Sequence, residues 1–232
     1  MQLFYCPKLL NGFSFLSREE SNHCIKVLRK KLGDIIHLID GIGNFYEAEI
    51  VIASQKKVFF DVKRKWKEIQ RPYSLHIAIS PTKSNNRFEW FLEKATEIGV
   101  DQITPLICDR SERKSINIDR LQKIILSAAK QSLKSKLPKL NEAILFKDFI
   151  KNDFVNSCFI AHCHSLNKMH LKAEVKSNST VLIGPEGDFS LYEIENALEN
   201  NFVSVSLGSS RLRTETAGLM VCQTIALHYE EI

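Results

Sequence analysis

The sequence predicts an α/β protein in two parts: a small N-terminal β-barrel domain over residues 1–72 and a mainly parallel α/β domain over residues 73–232. Three observations lead there. Between Asp34 and Lys67, apolar strand-like runs follow one another with only turns between them. Beyond Gln70-Arg71-Pro72, strand-like and helix-like patterns alternate, as they do in parallel sheets covered by helices. Two of the later strands run into glycine turns that carry charged residues, the usual setting of a ligand site in such folds.

Taken in order, Ser17-Arg18-Glu19-Glu20 has the spelling of a capping box, which predicts a short helix to about Leu28. Residues 35–39, 45–52 and 58–62 read as strands, punctuated by Gly41-Ile42-Gly43-Asn44 and Ser54-Gln55-Lys56-Lys57. So short an antiparallel meander must curl to protect its edges, hence the barrel. Residues 75–79 follow as a strand, and Phe88, Phe91, Leu92 and Ala95 then stand at helical spacing on one apolar stripe. Strands over 103–107, 158–161, 181–183 and 204–207 and a helix over 118–132 continue the alternation, which places helices on both sides of the sheet. The last helix, 215–229, is apolar over most of its circumference; burial within one chain and a subunit interface both satisfy that pattern.

No apolar stretch approaches the length of a membrane span, and the first residues lack the basic-then-apolar layout of a signal peptide, so a cytoplasmic protein is expected, with no membrane partner. The cysteines at 6, 24, 108, 158, 163 and 222 form no Cys-x-x-Cys pair and read as reduced thiols. In His162-Cys163-His164, adjacent residues of a strand would face alternate sides, so no metal is expected there. Charge is unevenly spread. Residues 1–72 hold 13 Lys and Arg against 8 Asp and Glu, whereas residues 73–232 hold 19 against 19. A basic front on a neutral body fits a polyanion held by the first domain; a solvated lysine-rich surface fits equally well.

The most informative segments are Val181-Leu182-Ile183-Gly184-Pro185-Glu186-Gly187-Asp188-Phe189-Ser190 and, further on, Leu207-Gly208-Ser209-Ser210-Arg211-Leu212-Arg213-Thr214-Glu215-Thr216-Ala217. Neither a Gly-x-x-x-x-Gly-Lys-Ser/Thr phosphate loop nor a Gly-x-Gly-x-x-Gly fingerprint is present, which argues against nucleotide hydrolysis and hydride transfer. Pro185 has no N–H and Glu186 adds a carboxylate, so the first turn suits a cationic or polar small molecule better than a triphosphate.

Together these segments resemble the ribosomal RNA small subunit methyltransferase E family of the SPOUT methyltransferases. The resemblance also takes in His23-x-x-x-Val27-Leu28-Arg29, Pro81-Thr82-Lys83, Lys94-Ala95-Thr96-Glu97-Ile98-Gly99-Val100, Ile103-x-Pro105, and Ala129-x-Gln131-Ser132 leading to Pro138. It implies a PUA-like barrel, a SPOUT α/β domain with a trefoil knot, and a homodimer. It further implies S-adenosylmethionine as methyl donor and N3 of a uridine in 16S ribosomal RNA of the small subunit as acceptor. The cofactor pocket maps onto three bends: Ala161 and the turn after it, Gly184, Pro185, Glu186 and Gly187, and Leu207, Gly208, Leu212 and Thr214. The acceptor chemistry makes Arg213, with Arg211, the expected stabiliser of charge developing on the base. Glu215 is either a proton acceptor or a partner for the dipole of its helix.

RNA contacts are expected from Arg29, Lys30 and Lys31 and from Lys83, Arg110, Arg113 and Lys114, the partner being ribosomal RNA or the small ribosomal subunit. A non-catalytic RNA-binding or ribosome-assembly factor with the same fold, and a methyltransferase acting on transfer RNA, are the alternatives. This chain departs from the family pattern at Asp188, where a second glycine is usual, and at Lys130 and Lys134.

Overall fold

The computed structural model describes residues 1–11, 14–164 and 168–229. Packing divides the chain into residues 1–70 with 126–137, and residues 71–125 with 138–232. The sequence assigns 126–137 to the second part, but long-range bonds draw this segment into the first unit. Lys130 Nζ lies 2.7 and 3.0 Å from the Glu20 carboxylate oxygens, and Ser135 donates both its N–H and its hydroxyl to Glu68 Oε2 at 2.6 Å.

The first unit holds strand β1 (Leu3–Tyr5), helix α1 (Arg18–Asn22), which widens into a π turn over His23–Val27, and strands β2 (Ile35–Ile39), β3 (Asn44–Ile52) and β4 (Phe59–Lys67). They form one sheet in the order β1-β2-β3-β4; β1 runs parallel to β2 and the other pairs are antiparallel. The sequence pattern shows three of these strands and misses β1, whose three residues are too few for a period. As described, the strand path is open, with an isolated bridge from Phe15 to Phe59 beside β4. Phe4, Leu16, Cys24, Ile36, Leu38, Ala48, Ile50 and Phe60 fill the core beneath it.

Two local motifs show why the chain turns where it does. Ser17 caps α1 by accepting from Glu20 N at 3.2 Å, but the box is not reciprocal: Glu20 reaches instead to Tyr5 N at 3.2 Å and to Lys130. At the β2–β3 turn, the buried Asp40 carboxylate accepts from Ile42 N, Asn44 N, the Asn44 amide and the Tyr46 hydroxyl, while Gly41 (φ 87°) and Gly43 (φ 106°) take left-handed backbone that a Cβ would oppose. Burial, aided by Asp40, pushes the Tyr46 phenol up to about 12, which keeps it a donor.

The second unit runs β5 (Ser74–Ile79), α2 (Asn85–Ile98), β6 (Gln102–Ile107), α3 (Ile118–Gln131), β7 (Lys139–Leu140), β8 (Ile144–Leu145), α4 (Phe146–Phe149), β9 (Ser157–Ala161), β10 (Met169–His170), α5 (Leu171–Glu174), β11 (Asn178–Ile183), α6 (Leu191–Glu199), β12 (Val203–Ser206) and α7 (Thr214–Tyr229). Residues 126–131 of α3 belong to the first unit. Its strands pair in parallel in the order β10-β12-β9-β11-β5-β6-β7, with β8 also on β6.

Side-chain alternation sorts the two faces. Ile77, Ile79, Phe159, Val181 and Ile183 pack with Phe88, Phe91 and Leu92 of α2 and Val221, Cys222 and Ile225 of α7. Ala78, Ile160 and Leu182 turn the other way, onto Phe146 and Phe149 of α4 and Ile194 and Ala197 of α6. Helices thus cover both sides, as the pattern leads one to expect. Gly218 makes the fit of α7 possible, since a Cβ there would lie 2.5 Å from the Phe91 ring. Thr216, Met220, Gln223 and Leu227 form an exposed stripe along α7, so this helix is not fully enclosed within the chain. Among the described residues no helix is long and apolar enough to cross a membrane.

Candidate functional site

Three neighbouring strands of the sheet, β12, β9 and β11, end side by side. Ala161, the last residue of β9, is in register with Ile183 at the end of β11 and with Val205 near the end of β12. Parallel strands deliver their following loops to one edge, so the bends at 161–164, 184–188 and 207–213 gather at the carboxyl end of the sheet. This juxtaposition is what the sequence expectation of one shared cleft requires.

The second bend is a tight turn closed by Asp188 N donating to Pro185 O at 2.9 Å. Gly184 is needed for space, because a Cβ there would meet the Phe189 ring at 3.1 Å and Phe189 N at 3.2 Å. Glu186 Oε1 accepts from Lys83 N at 3.0 Å and so fixes the loop after β5. In the third bend Gly208 has φ 125° and nothing within 4 Å of a Cβ built on it, so its backbone borders open space. That bend ends in α7, whose first residue, Thr214, donates its hydroxyl to Gly184 O at 3.0 Å and joins the third bend to the second.

The first bend contains His162-Cys163-His164, which follows β9 rather than lying within it, so the strand-alternation argument against a metal does not apply as framed. The bonds decide the matter differently. His162 Nε2 lies 2.8 Å from Ser204 Oγ, and its Nδ1 accepts from His164 N at 3.3 Å, an arrangement suited to the neutral ring with its proton on Nε2. Burial, with the Lys168 ammonium adding to it, pulls this imidazole down to about 4. Lys168 donates to His162 O, and burial lowers its own ammonium from the ordinary range. Cys163 N donates to Asp188 Oδ2 at 2.8 Å. Residues 165–167 lie outside the described residues.

Charged residues expected to hold RNA prove partly occupied with these loops. Arg110 donates to Gly187 O at 2.8 Å and to Phe189 O at 3.4 Å, and Arg113 donates to Thr82 O and Lys83 O at 3.1 and 2.7 Å. Lys83 Nζ pairs with Glu112 at 2.8 Å, while Lys114 is exposed. In the first unit Arg29 is exposed with φ 54°, Lys30 Nζ donates to Ile35 O at 3.2 Å, and the exposed Lys31 gives its N–H to Asp34.

Arg211 and Arg213 are both exposed beside the start of α7. Glu215 is 5% exposed; its Oε1 stands 3.8 Å from Arg87 Nε, and its buried Oε2 has no hydrogen-bond partner. Sequence reasoning missed Ser111 and Glu193. Ser111 Oγ accepts from Cys108 N and lies 2.8 Å from Ser80 Oγ. Glu193 binds Asp109 N and Ser190 N in a complete capping box that fastens the loop after β6 to α6. The Ser190-x-x-Glu193 spelling could have revealed the cap, but not the tie to Asp109.

An α/β unit whose bends cluster at the carboxyl ends of its strands offers a ligand site, and comparison with known proteins supplies the class, an RNA methyltransferase. Family models agree: residues 70–226 match an RNA methyltransferase domain, and residues 16–63 an RNA methyltransferase PUA domain. The chain is 31% identical over 219 residues to a ribosomal RNA small subunit methyltransferase E of Buchnera aphidicola, covering 91% of this chain and 86% of the relative. A probable rRNA-methyltransferase from Porphyromonas gingivalis superposes with a TM-score of 0.91 at 39% identity, covering 99% of this chain and 98% of that one. A ribosomal RNA small subunit methyltransferase E from Neisseria gonorrhoeae, solved bound to S-adenosyl methionine, gives 0.84 at 25% identity, covering 98% and 97%. The chain belongs to the ribosomal RNA small subunit methyltransferase E family.

Proposed function

We propose that this protein transfers a methyl group from S-adenosylmethionine to N3 of a uridine in 16S ribosomal RNA of the small subunit. The clustering of three bends on adjacent strand ends, with Thr214 bonded to Gly184 O, carries the reading. The residues fit such a cofactor: Gly208 borders open space, and the bends supply main-chain groups of the kind that hold a planar, weakly polar ring. Ala161, Gly184, Pro185, Glu186, Gly187, Leu207, Gly208, Leu212 and Thr214 would hold it. When bound, it supplies a methyl group on a cationic sulfur, already activated for transfer.

The chain's own task is at the acceptor. Uridine N3 is a poor nucleophile until it loses its proton, so the site must favour the anion. Arg213, with Arg211, stabilises the charge that develops on the base, and orientation supplies much of the remaining acceleration. The depth of Glu215 supports a role beside Arg87 and the positive end of α7 rather than in proton transfer from a base. Arg29, Lys30, Lys31 and Lys114 contact phosphates, while Arg110 and Arg113 hold the neighbouring loops after β11 and β5.

The finer architecture follows the same reading. The match of residues 16–63 to a PUA domain supports a PUA-like barrel for the first unit, although its described strand path is open. The return of the chain from β12 to Gly184 and to β11 and β5 supports the trefoil knot. The half-apolar outer stripe of α7 supports a homodimer, and the family's ribosomal RNA substrate suggests the cytoplasm. Two measurements test the function: titration calorimetry with S-adenosylmethionine, and mass mapping of methylated uridine in ribosomal RNA from cells with and without the gene. Arg213→Ala is expected to cut methyl transfer by about a hundredfold while the cofactor Kd changes by less than about threefold. Unchanged turnover in that variant removes Arg213 from the mechanism, and absence of cofactor binding favours the non-catalytic alternative.

A further inference from the structure

Beyond the strand ladders, something must fix the distances between the bends. The third bend is tied to the second by Thr214, and the first is tied to β12 by His162 and Ser204. Between the first and second bends the last register pair is Ile183 with Ala161, and past it the chains are free to separate. Among the described residues, the bonds that cross this gap end on Asp188. Its Oδ2 accepts from Cys163 N at 2.8 Å and stands 3.5 Å from His164 Nε2.

Asp188 also shapes its own bend. Its N–H closes the turn onto Pro185 O, and its Oδ1 accepts from Phe189 N at 2.8 Å, steadying the residue whose ring lies against Gly184. These bonds are made from left-handed backbone, φ 63°, which most side chains oppose and which aspartate tolerates better than most. The turn alone needs only a residue that accepts this φ, and glycine does so without penalty. A carboxylate there does something glycine cannot. It collects two main-chain N–H groups from two bends, with its side chain only 18% exposed to competing water.

From this geometry we infer that Asp188 is a positioning residue that sets the spacing between the first and second bends and thereby the tightness of cofactor binding. The inference rests on the reading that these bends hold S-adenosylmethionine. It places no part of the chemical step on Asp188.

Asp188→Gly isolates the clasp, because glycine keeps the backbone conformation and removes the carboxylate. Asp188→Asn keeps one carbonyl oxygen and turns an NH₂ toward the other N–H donor, so it retains one of the two bonds. With the full chain, calorimetric Kd for S-adenosylmethionine is expected to rise about tenfold in Asp188→Gly, as for loss of one charge-assisted hydrogen bond, and by an intermediate factor in Asp188→Asn. The value of kcat at saturating cofactor stays within about threefold, since spacing and not transition-state charge is altered. Hydrogen exchange at the Cys163 amide speeds up in step with Kd, and a general loss of structure would instead speed exchange throughout the sheet.

Cofactor affinity within twofold of wild type in a folded Asp188→Gly overturns the proposal. So does weakened affinity with Cys163 exchange unchanged, and so does a fall in kcat as large as the change in Kd. If Asp188→Gly does not fold, Asp188→Asn decides on the same readings. A wild-type chain that gives no heat with S-adenosylmethionine overturns the cofactor reading itself; equal Cys163 exchange in wild type and variant overturns the clasp alone.

Discussion

The two ends of the same parallel sheet are held by different chemistry. At the carboxyl end, charged side chains grip main-chain atoms: Glu186 takes Lys83 N, Asp188 takes Cys163 N, Glu193 takes Asp109 N, and Arg110 and Arg113 reach carbonyls. Toward the amino end, neutral side chains grip one another. His76 lies 2.7 Å from Thr104 Oγ1, Asn141 donates to that same oxygen at 2.6 Å, Asn156 donates to Thr180 at 2.7 Å, and Ser74 donates to Asn178 at 2.8 Å. Asp101 is the exception there, accepting from Leu75 N and pairing with Arg71. His76, Asp101, Thr104, Asn141, Asn156 and Thr180 border a cavity of about 610 Å³ shared with Phe149 and Phe154. A cavity lies at the amino end, but it is the carboxyl end whose charged side chains hold loops in place. A cavity alone therefore does not tell the two ends apart; the kind of bond found at each one does.

The contrast breaks most sharply at Gly184. Alanine there presses on the Phe189 ring and main chain, which must give by a few tenths of an ångström, and the Kd for S-adenosylmethionine is expected to rise by up to about a hundredfold, the upper range of what overpacking costs. Near-normal affinity would show that the carboxyl-end bends need not be held so closely. Thr104→Val is the counterpart at the amino end. It strands the Asn141 amide and the His76 ring and is expected to cost about 1–3 kcal/mol of stability by denaturant unfolding, with cofactor affinity unchanged. A change in affinity there would dissolve the division of labour.

The smallest effect is one of pH and draws on both ends. Burial holds the rings of His76 and His162 down at about 4, from an ordinary 6.5. The unfolded chain therefore binds protons that the folded chain refuses. Stability is complete above pH 6.5 and is lost as pH falls toward 4, at no more than about 1.4 kcal/mol per pH unit for each ring. Melting curves across that window should flatten in part when His76 becomes Gln. A His76→Gln variant with an unchanged slope would show that this ring does not contribute.

Much of the fold can be read in the sequence because apolar period survives wherever an element is long and packs against one core. The stripe Phe88, Phe91, Leu92, Ala95 is buried as its spacing implies. What escapes has a common cause, namely bonds between residues far apart in the chain. Glu20 has the spelling of a reciprocal cap, yet Lys130, 110 residues away, captures its carboxylate. Arg110 and Arg113, expected at RNA, also bond carbonyls of neighbouring loops, a tie that local spacing does not show. The bends themselves were legible, since glycine and charge after a strand are local signals; which side chain ties one bend to the next was not.

One feature of these ties has an evolutionary consequence. Lys83, Cys163, Gly184 and Thr82 take part through amide or carbonyl groups that every residue, or nearly every residue, possesses. Side-chain identity at Lys83 and Cys163 is therefore free to drift while the frame persists, provided that the gripping partner is kept, whereas Gly184 stays fixed by its contact with Phe189. Deep mutational scanning should produce a lopsided map, intolerant at Glu186 and Thr214 and permissive at Lys83 and Cys163.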